Sequence, residues 1–436
     1  MHHRQRLLAG AAALAVLTAP AFAADEQLGK LHTVTSHVFR PEPRPATDEL
    51  IATLTVPDGF RLQVYARDLG NPRMMAMAED RTLYVTRPAS NDVVALADRD
   101  GDGRADGPPQ VVAADLDQVH GIALRDGRIY LATVHEIHKG TVLADGTIAE
   151  LEAVIDDLPG GGQHPLRTIR FGPDGRLFLQ IGSSCNDCLE SEAGKAAISV
   201  IEPGAWTRRV FAHGLRNSMG FDWHPASGEM WGVDHGSDWR GDDVPPDELN
   251  RLQDGRHYGW PFCWGERRPD WLTHAMPPDG TPKESFCQER TEAPVLGFAA
   301  HSAAVDLVFY DGQQFPPDYQ GDAFVTQRGS WNRETPIGYG VVRINFEAGE
   351  PKQVEDFLFR FLTNDRKGTF GRVAGLAIAN DGALLVSDDL NGVIYRVTYQ
   401  GHTRQAASSR SVASPPLPPA ALMRPPVAAP APGLQD

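Results

Sequence analysis

Residues Ile169–Leu179 read IRFGPDGRLFL: an apolar strand, a turn containing Asp and Gly, and a second apolar strand. An Asp-Gly turn between two apolar runs is typical of a β-hairpin. Similar units recur at Met75–Val85, Gly121–Leu131, Met219–Trp231, Val305–Thr326 and Gly375–Val386. Their turns lie about 45–50 residues apart, except for a gap about twice as long across 255–300, and propeller blades repeat at this kind of spacing. The sequence therefore predicts an all-β fold, a six-bladed β-propeller of four-stranded antiparallel blades. A β-sandwich would not repeat the turn so regularly.

The rest of the sequence indicates how the chain is organised around this repeat. Residues 1–23 combine a basic start, a short apolar run and Ala21-Phe22-Ala23, which predict a cleaved signal peptide and export, most simply to a bacterial periplasm. The apolar run is shorter than the roughly 20 residues of a membrane span, so no membrane span is expected. We expect an extended lead-in over 24–46, the propeller over 47–402 with an insertion at about 255–300, and a disordered Pro/Ala-rich tail over 403–436.

Composition and motifs argue against several classes of partner and enzyme. The 41 Lys+Arg and 57 Asp+Glu residues leave a formal charge of −16. Nucleic acid and anionic membranes both require a cationic surface, so neither is expected as the main partner. The sequence has no P-loop, no G-x-S-x-G nucleophile elbow and no G-x-G-x-x-G after a strand. It therefore does not predict an ATP- or nicotinamide-dependent enzyme.

Four cysteines follow the predicted signal peptide, and in an exported protein two disulfides are the default. Sequence proximity favours Cys185–Cys188 and Cys263–Cys287, although three pairings are possible. A redox-active pair and a metal site remain alternatives. Leu189, rather than His, follows Cys188, so this motif is not a c-type haem attachment site.

The residues just before each predicted inner strand should line the central channel of a propeller. Several are basic or histidine: Arg73, His120, His164, Arg167, Arg216, His301 and Arg372. Basic residues at one rim of an acidic body predict an anionic ligand held by arginine side chains. Ordinary ion pairs at strand ends are the alternative.

Two acidic stretches are candidate cation sites. Asp98–Asp106 has the D-x-D-x-D-G rhythm of a calcium loop, but Pro109 stands where an EF-hand has Glu. A partial calcium loop and a solvated turn both remain open. Asp234–Glu248 contains further carboxylates and backbone carbonyls that would suit a hard cation. A histidine beside an anion pocket and a divalent cation would suit either metal-assisted hydrolysis or oxidation with a prosthetic group.

Taken together, several motifs resemble the soluble quinoprotein sugar dehydrogenases, the glucose/sorbosone dehydrogenase family, and most strongly its sorbosone-dehydrogenase-like branch. The motifs lie in family order from about residue 47 to 400, at Gly160–Pro165, Phe171–Gly175, Gly214–Asn217, Asp234–Asp243, Tyr258–Pro261, Arg328–Arg333 and Gly371-Arg372. The resemblance implies a six-bladed propeller that binds pyrroloquinoline quinone (PQQ) and Ca²⁺ on its channel axis. That agrees with the blade number expected from the repeat.

The resemblance also implies roles for single residues. His164 matches the catalytic base that takes the sugar hydroxyl proton, and Arg216 matches the arginine beside the quinone C5 oxygen. Asn217 matches a quinone contact. The backbone carbonyls of Gly236 and Ser237 match the ligands of the active-site calcium ion, which polarises the quinone carbonyl.

Four further residues are assigned to cofactor binding. Arg328 occupies the position of a basic residue facing the quinone carboxylates, and Arg372 matches one of a pair of arginines whose second position is Ala374 here. From the alignment of the rim we infer that Arg73 replaces this missing contact. Trp331 would either stack on the cofactor or pack between blades, and both remain open.

These expectations combine into one function. The sequence predicts a periplasmic quinoprotein that oxidises a sugar or related hydroxy-aldehyde of aldose or sorbosone type, with hydride transfer to PQQ, assistance from Ca²⁺ and His164 as general base. Electrons would leave to an external acceptor, a quinone or a cytochrome. A calcium-dependent propeller hydrolase of lactonase type and a non-catalytic binding propeller are the alternatives. The hydrolase would not need the arginine cluster.

Overall fold

Six antiparallel sheets follow one another along residues 34–401, the part of the chain that the computed structural model describes. From the channel outwards, blade 1 contains Met75–Met77, Thr82–Arg87, Asp92–Ala97 and Gln110–Ala113. Blade 2 contains Gly121–Arg125, Arg128–Ala132, Ile137–Val142 and Ile148–Ile155. Blade 3 contains Arg167–Phe171, Leu177–Ile181, Ala197–Glu202 and Thr207–His213, with Arg256–His257 added in parallel.

The second half of the chain completes the ring. Blade 4 contains Phe221–Trp223, Met230–Asp234, Asp247–Leu252 and Leu296–Phe298. Blade 5 contains Ala304–Phe309, Ala323–Gln327, Gly340–Glu347 and Glu350–Leu358. Blade 6 contains Val373–Ile378, Leu384–Asp388, Val393–Tyr399 and Phe60–Ala66. The predicted six-bladed propeller is confirmed.

The outer strand of blade 6 comes from the other end of the propeller sequence. Phe60–Ala66 pairs antiparallel with Val393–Tyr399, so that Phe60 lies opposite Tyr399 and Leu62 opposite Val397. This pairing closes the ring with main-chain hydrogen bonds. The hairpin repeat does not reveal it, because the two strands are neighbours only in space.

The core is distributed between the blades. Among residues 34–401, six clusters of buried apolar side chains each lie between two neighbouring blades. Between blades 4 and 5, for example, Trp231 packs with Leu307 and Val325, all fully buried. Burying an aliphatic or aromatic side chain contributes about 1.5–3 kcal/mol, so each interface is held mainly by apolar packing.

An insertion interrupts blade 4 between its third and fourth strands, after residue 252 and before residue 296. It contains the short strands Cys263–Trp264 and Arg268–Pro269 and the helix Lys283–Arg290. The disulfide Cys263–Cys287 joins the strand to the helix and is buried against Phe262 and Phe286. The second disulfide is Cys185–Cys188, so the predicted pairing is confirmed.

The segment before the propeller lies across blades 5 and 6. Glu42–Pro43 forms a short parallel bridge with Gly368–Thr369, and the helix Asp48–Ile51 follows, capped by the Thr47 side chain. A 3₁₀ turn is formed by Pro317–Tyr319. Within residues 34–401, none of the helices is long and apolar enough to cross a membrane. The predicted signal peptide, 1–23, and tail, 403–436, lie outside the described residues.

Candidate active site

The sheet topology gathers the candidate residues at one rim of the channel. In each blade the second strand returns antiparallel to the first, so its end lies beside the start of the innermost strand; in blade 3, Ile181 is opposite Arg167. Residues before a first strand and residues after a second strand therefore meet at the same rim. His164, Arg216 and Arg372 precede first strands, whereas Gly236 and Arg328 follow second strands.

His164 has a defined proton arrangement. Its Nδ1 lies 3.0 Å from the carbonyl oxygen of Ser183 and 2.9 Å from the Ser183 hydroxyl, which itself donates to the Cys185 carbonyl at 2.6 Å. A carbonyl only accepts, so Nδ1 carries the proton and Nε2 keeps its lone pair. Burial, together with the positive charge of Arg216 and the neighbouring His235, lowers the pKa of His164 to about 3. The imidazole is therefore a neutral base across the physiological pH range.

A glycine allows His164 and Asn217 to come this close. A Cβ added at Gly182 would lie 2.6 Å from both His164 Cβ and Asn217 Oδ1. Asn217 also accepts from Gln180 at 3.2 Å, and its Nδ2 lies 3.4 Å from His235 Nδ1. The predicted base and the predicted quinone contact are thus packed against one backbone position.

Arg216 is almost fully buried, with 2% of its surface exposed. Its Nε donates to the Asn186 carbonyl at 3.1 Å, and its Nη2 donates to Asn186 Oδ1 at 2.9 Å and to Asp238 Oδ2 at 2.8 Å. Its backbone N–H donates to Asp234 at 3.0 Å. These bonds fix the plane of the guanidinium, and Nη1 forms no hydrogen bond with residues 34–401.

The predicted calcium ligands, Gly236 and Ser237, lie beside a group of buried carboxylates. Gly236 N donates to Asp247 at 3.1 Å, and a Cβ at Gly236 would lie 2.6 Å from Pro245. Asp234, Asp247 and Glu248 are all buried, and none of them forms an ion pair with a Lys, Arg or His of the described chain. Burial raises the pKa of Asp234 to about 6 and, with help from Asp234, that of Glu248 to about 8.

All three carboxylates accept hydrogen bonds from the chain, and a cation beside them would stabilise their charged forms, because buried carboxylates are normally paired or bind a cation. The oxygen-rich surroundings of Gly236 and Ser237 are the chemistry that Ca²⁺ prefers. The residues present therefore fit a calcium ion at the predicted place.

Two arginines, Arg73 and Arg328, pair with Asp389 at the rim, and a third, Arg372, lies beside them. Asp389 accepts from Arg328 Nε at 3.0 Å and Nη2 at 2.9 Å, and from Arg73 Nη1 at 2.5 Å. Within the described part of the chain, the Arg372 side chain donates only to main-chain carbonyls, those of Arg328 and Gly329, at 3.4 Å. Burial and the neighbouring Arg328 lower the pKa of Arg372 to about 10. The cluster has an excess of positive charge, which fits a ligand carrying carboxylates.

Arg73 lies deeper than the other two arginines. Its side chain is buried, and Nη2 lies 3.4 Å from His120 Nε2. Burial raises the pKa of Asp389, but Arg73 and Arg328 outweigh it and the net shift is downward. Arg73 thus supports the cluster through Asp389, and its direct contact with a cofactor stays a prediction.

Trp331 lies in a contact between loops. Its ring packs edge-to-face on Trp239, with 5.1 Å between centroids and 76° between planes. Trp239 is 48% exposed, and its N–H donates to Asn332 Oδ1 at 2.7 Å. This contact links the loop of the predicted calcium ligands to the loop that carries Arg328.

The structure therefore brings the predicted residues into two groups at the rim. His164, Arg216, Asn217, Gly236 and Ser237 form the first, and Arg73, Arg328 and Arg372 surround Asp389 in the second. Arg167 and His301 are also at the rim, but their side chains bind main-chain carbonyls of the protein itself.

Sequence reasoning missed Ser183, Asn186 and Asp389, whereas Asp247 lies in the predicted acidic stretch Asp234–Glu248. Ser183, Asn186 and Asp389 follow second strands. The signal that would have found them is the antiparallel return of that strand, which carries its end to the same rim.

The Asp98–Asp106 loop lies elsewhere on the molecule. Its carboxylates accept hydrogen bonds from backbone N–H groups of the same loop, for example Gly101 and Gly103 to Asp98. Asp98, Asp100 and Asp106 are also close enough together to share one cation. A partial calcium loop and a hydrogen-bonded turn both fit this arrangement.

Comparison with known proteins agrees with the class that fold and site define, a six-bladed propeller with a basic and acidic channel rim. Residues 54–400 match the model of the TrAA12-like family. The chain therefore belongs to the TrAA12-like family.

Individual relatives are distant. An uncharacterised protein of Borreliella burgdorferi is 28% identical over 371 residues, which cover 81% of this chain and 93% of the relative. Among solved structures, a calcium structure of the Trichoderma reesei carbohydrate-active enzyme of family AA12 has a TM-score of 0.68 at 21% identity, covering 79% and 97% of the two chains. The holo form of the PQQ domain of pyranose dehydrogenase from Coprinopsis cinerea has a TM-score of 0.68 at 21% identity, covering 82% and 98%.

Proposed function

We propose that this protein is a PQQ- and Ca²⁺-dependent dehydrogenase that oxidises a sugar or a related hydroxy-aldehyde of aldose or sorbosone type. The observation that carries the proposal is the excess of arginine around Asp389, because a hydrolase would need no such cluster. Family membership supports the same class. The periplasm as the location, and a quinone or cytochrome as the external electron acceptor, belong to the proposal as well.

Different residues at the rim would bind PQQ and Ca²⁺. Arg328 and Arg372 would hold the PQQ carboxylates, with Arg73 and Asp389 behind them. Gly236 and Ser237 would present their carbonyls to Ca²⁺, balanced by the buried carboxylates below. Bound in this way, PQQ supplies a hydride acceptor and Ca²⁺ supplies a Lewis acid.

His164 performs the proton transfer. Nε2 is unprotonated, so it can accept the proton of a substrate hydroxyl. Nδ1–H, held on the Ser183 carbonyl, keeps the ring oriented and stabilises the imidazolium that forms. Arg216 keeps its guanidinium in place with three hydrogen bonds and lowers the energy of negative charge that develops beside it.

The test is a titration of the purified mature protein with PQQ and Ca²⁺, followed by absorbance and by dye reduction with aldoses and sorbosone. We expect stoichiometric PQQ binding and substrate-dependent reduction. His164→Ala should lower turnover about 10²–10⁴-fold, the usual contribution of a general base, without loss of PQQ binding. His274→Ala, at an exposed position in the insertion, is the control and should keep full activity.

A different outcome of the titration would reject the proposal. No PQQ binding at micromolar concentration, together with metal-dependent lactone hydrolysis, would reject the quinoprotein and leave the hydrolase. Cell fractionation of the native host tests the location.

A further inference from the structure

The loop closed by the disulfide Cys185–Cys188 lies at the channel rim, directly after the second strand of blade 3, Leu177–Ile181. Neither the repeat nor the family resemblance gives it a role. The loop is fastened at both sides: the Cys185 carbonyl accepts from Ser183 Oγ at 2.6 Å, and the Asp187 carbonyl accepts from Thr273 Oγ1 at 2.9 Å. It therefore holds Asn186 in a fixed place.

The side-chain amide of Asn186 contacts both members of the Arg216–Asp238 ion pair. Its Oδ1 accepts from Arg216 Nη2 at 2.9 Å and from the Asp238 N–H at 2.8 Å. Its Nδ2 donates to the Asp238 carbonyl at 3.1 Å. The amide oxygen and nitrogen thus both bond to Arg216 or to Asp238, the residue that pairs with it.

The backbone of Asn186 makes a second set of contacts. Its carbonyl accepts from Arg216 Nε at 3.1 Å, from Ser237 Oγ at 3.2 Å and from Trp260 Nε1 at 3.1 Å. One residue thus touches both the predicted catalytic arginine and a predicted calcium ligand. These contacts depend on where the carbonyl points, and the disulfide-closed loop decides that.

The same loop also reaches the base. Ser183 Oγ donates to the Cys185 carbonyl and lies 2.9 Å from His164 Nδ1. The base, the arginine and the calcium loop are therefore all connected to a loop of four residues.

We infer that Asn186, presented by the Cys185–Cys188 loop, is a positioning residue that sets the guanidinium of Arg216 relative to the cofactor and the calcium loop. The inference rests on the proposed function. Asn186 acts through Arg216 and Ser237, so its loss should change turnover and calcium affinity more than PQQ occupancy. A misplacement of about 1 Å at a reacting centre costs up to about 10²-fold in rate.

The experiment compares three forms of the full-length mature protein. Asn186→Leu is nearly isosteric, keeps the disulfide and removes the amide contacts. Cys185→Ala/Cys188→Ala keeps Asn186 but opens the loop. Cys263→Ala/Cys287→Ala is the matched control, since it removes the other disulfide, which pins the insertion.

Three quantities are measured for each form: PQQ stoichiometry by absorbance titration, dye reduction per bound PQQ, and the affinity of the PQQ-loaded protein for Ca²⁺ by calorimetry. For Asn186→Leu and the loop variant we expect stoichiometric PQQ, a 10–100-fold lower rate per bound PQQ and several-fold weaker Ca²⁺ binding. The control should lose thermal stability but keep its rate per bound PQQ.

The outcomes separate the two proposals. If the wild-type protein binds no PQQ, the proposed function fails and this inference fails with it. If the wild-type protein turns over and Asn186→Leu matches it in rate per bound PQQ and in Ca²⁺ affinity, the inference alone is wrong. A purely structural role would lower the folded fraction of Asn186→Leu without changing these two values, and this too overturns it.

Discussion

The spacing of His164 and Asn217 depends on the absence of a side chain at Gly182. A side chain at this position would occupy the space where His164 Cβ and Asn217 Oδ1 approach, each 2.6 Å from the added Cβ. Real Cβ contacts do not come so close, so the two residues would have to separate. Gly182 therefore sets the distance between the base and its neighbour.

Gly182→Ala should lower turnover about tenfold or more, because displaced catalytic groups lose rate steeply, while the fold remains. Steady-state kinetics of the PQQ-loaded variant measure it. Gly107→Ala is the control, since no atom lies within 4 Å of an added Cβ there. Unchanged turnover in Gly182→Ala would mean that the site does not require this close approach.

The arginines at Asp389 should respond differently to substitution. Arg372→Ala removes a guanidinium that has only carbonyl partners. We expect PQQ affinity to fall tenfold or more, since a hydrogen bond to a charged group contributes about 1.5–3 kcal/mol, with little change in the melting temperature.

Arg73→Ala is the contrasting variant. It takes one of two arginine partners from the buried Asp389, which keeps Arg328, so the cost should be below the about 3–5 kcal/mol of leaving a buried charge unpaired. The apoprotein should therefore melt at a lower temperature. Equal thermal effects of the two substitutions would contradict the difference in their partners.

At the scale of elements, the closing strand Phe60–Ala66 holds the ring through both hydrogen bonds and packing. Phe60 is buried among Phe315, Phe357 and Tyr319, with ring centroids 4.8–5.2 Å away. Phe60→Ala should cost about 3–5 kcal/mol, measured by denaturant unfolding. Arg61→Ala, the exposed next residue of the same strand, should change stability little. A small effect of Phe60→Ala would mean that the ring does not depend on this strand.

The blades could be predicted from the sequence because a hairpin is local: an Asp-Gly turn and alternating residues suffice, as at Phe171–Leu177. The closing strand could not, because Phe60 and Tyr399 are distant in sequence and their pairing depends on the completed ring. At the site, His164 and Arg216 stand next to recognisable strands and motifs. Asp389 and Asn186 were missed because their importance lies in which side chains they meet, and packing across blades decides that.

At the scale of the whole molecule, the buried histidines and the buried carboxylates have opposite effects on the free energy of unfolding as the pH changes. Burial lowers the pKa of His120, His164 and His257 to about 3. In the unfolded chain these histidines take up protons near pH 6.5. The unfolded state therefore binds more protons between about pH 3 and 6.5, and stability from this source is complete above that range and lost below it.

The buried carboxylates act in the other direction. The raised pKa values of Asp234 and Glu248, about 6 and about 8, mean that the folded state holds protons that the unfolded state has released. Stability from these groups is present below about pH 4 and lost as the pH rises toward 8. The two effects place the most stable pH of the apoprotein in the mildly acidic range.

We expect Ca²⁺ to move this optimum upward, because the cation favours deprotonated carboxylates. Melting temperatures from pH 4 to 9, with and without Ca²⁺, measure it. Glu248→Gln should flatten the alkaline decline of the apoprotein, and His257→Gln the acidic one. A melting profile that Ca²⁺ leaves unchanged would argue against a cation beside these groups.

The pairing of Phe60–Ala66 with Val393–Tyr399 also has a consequence for biosynthesis. The early strand has no partner until Val393–Tyr399 has been synthesised, and closing so long a loop costs on the order of 5 kcal/mol in chain entropy. Until then Phe60–Ala66 has no strand to pair with and leaves an open edge, the kind of edge that recruits other chains. The propeller is thus sealed only after translation has passed Tyr399, and a chaperone that delays folding until then would protect it from aggregation.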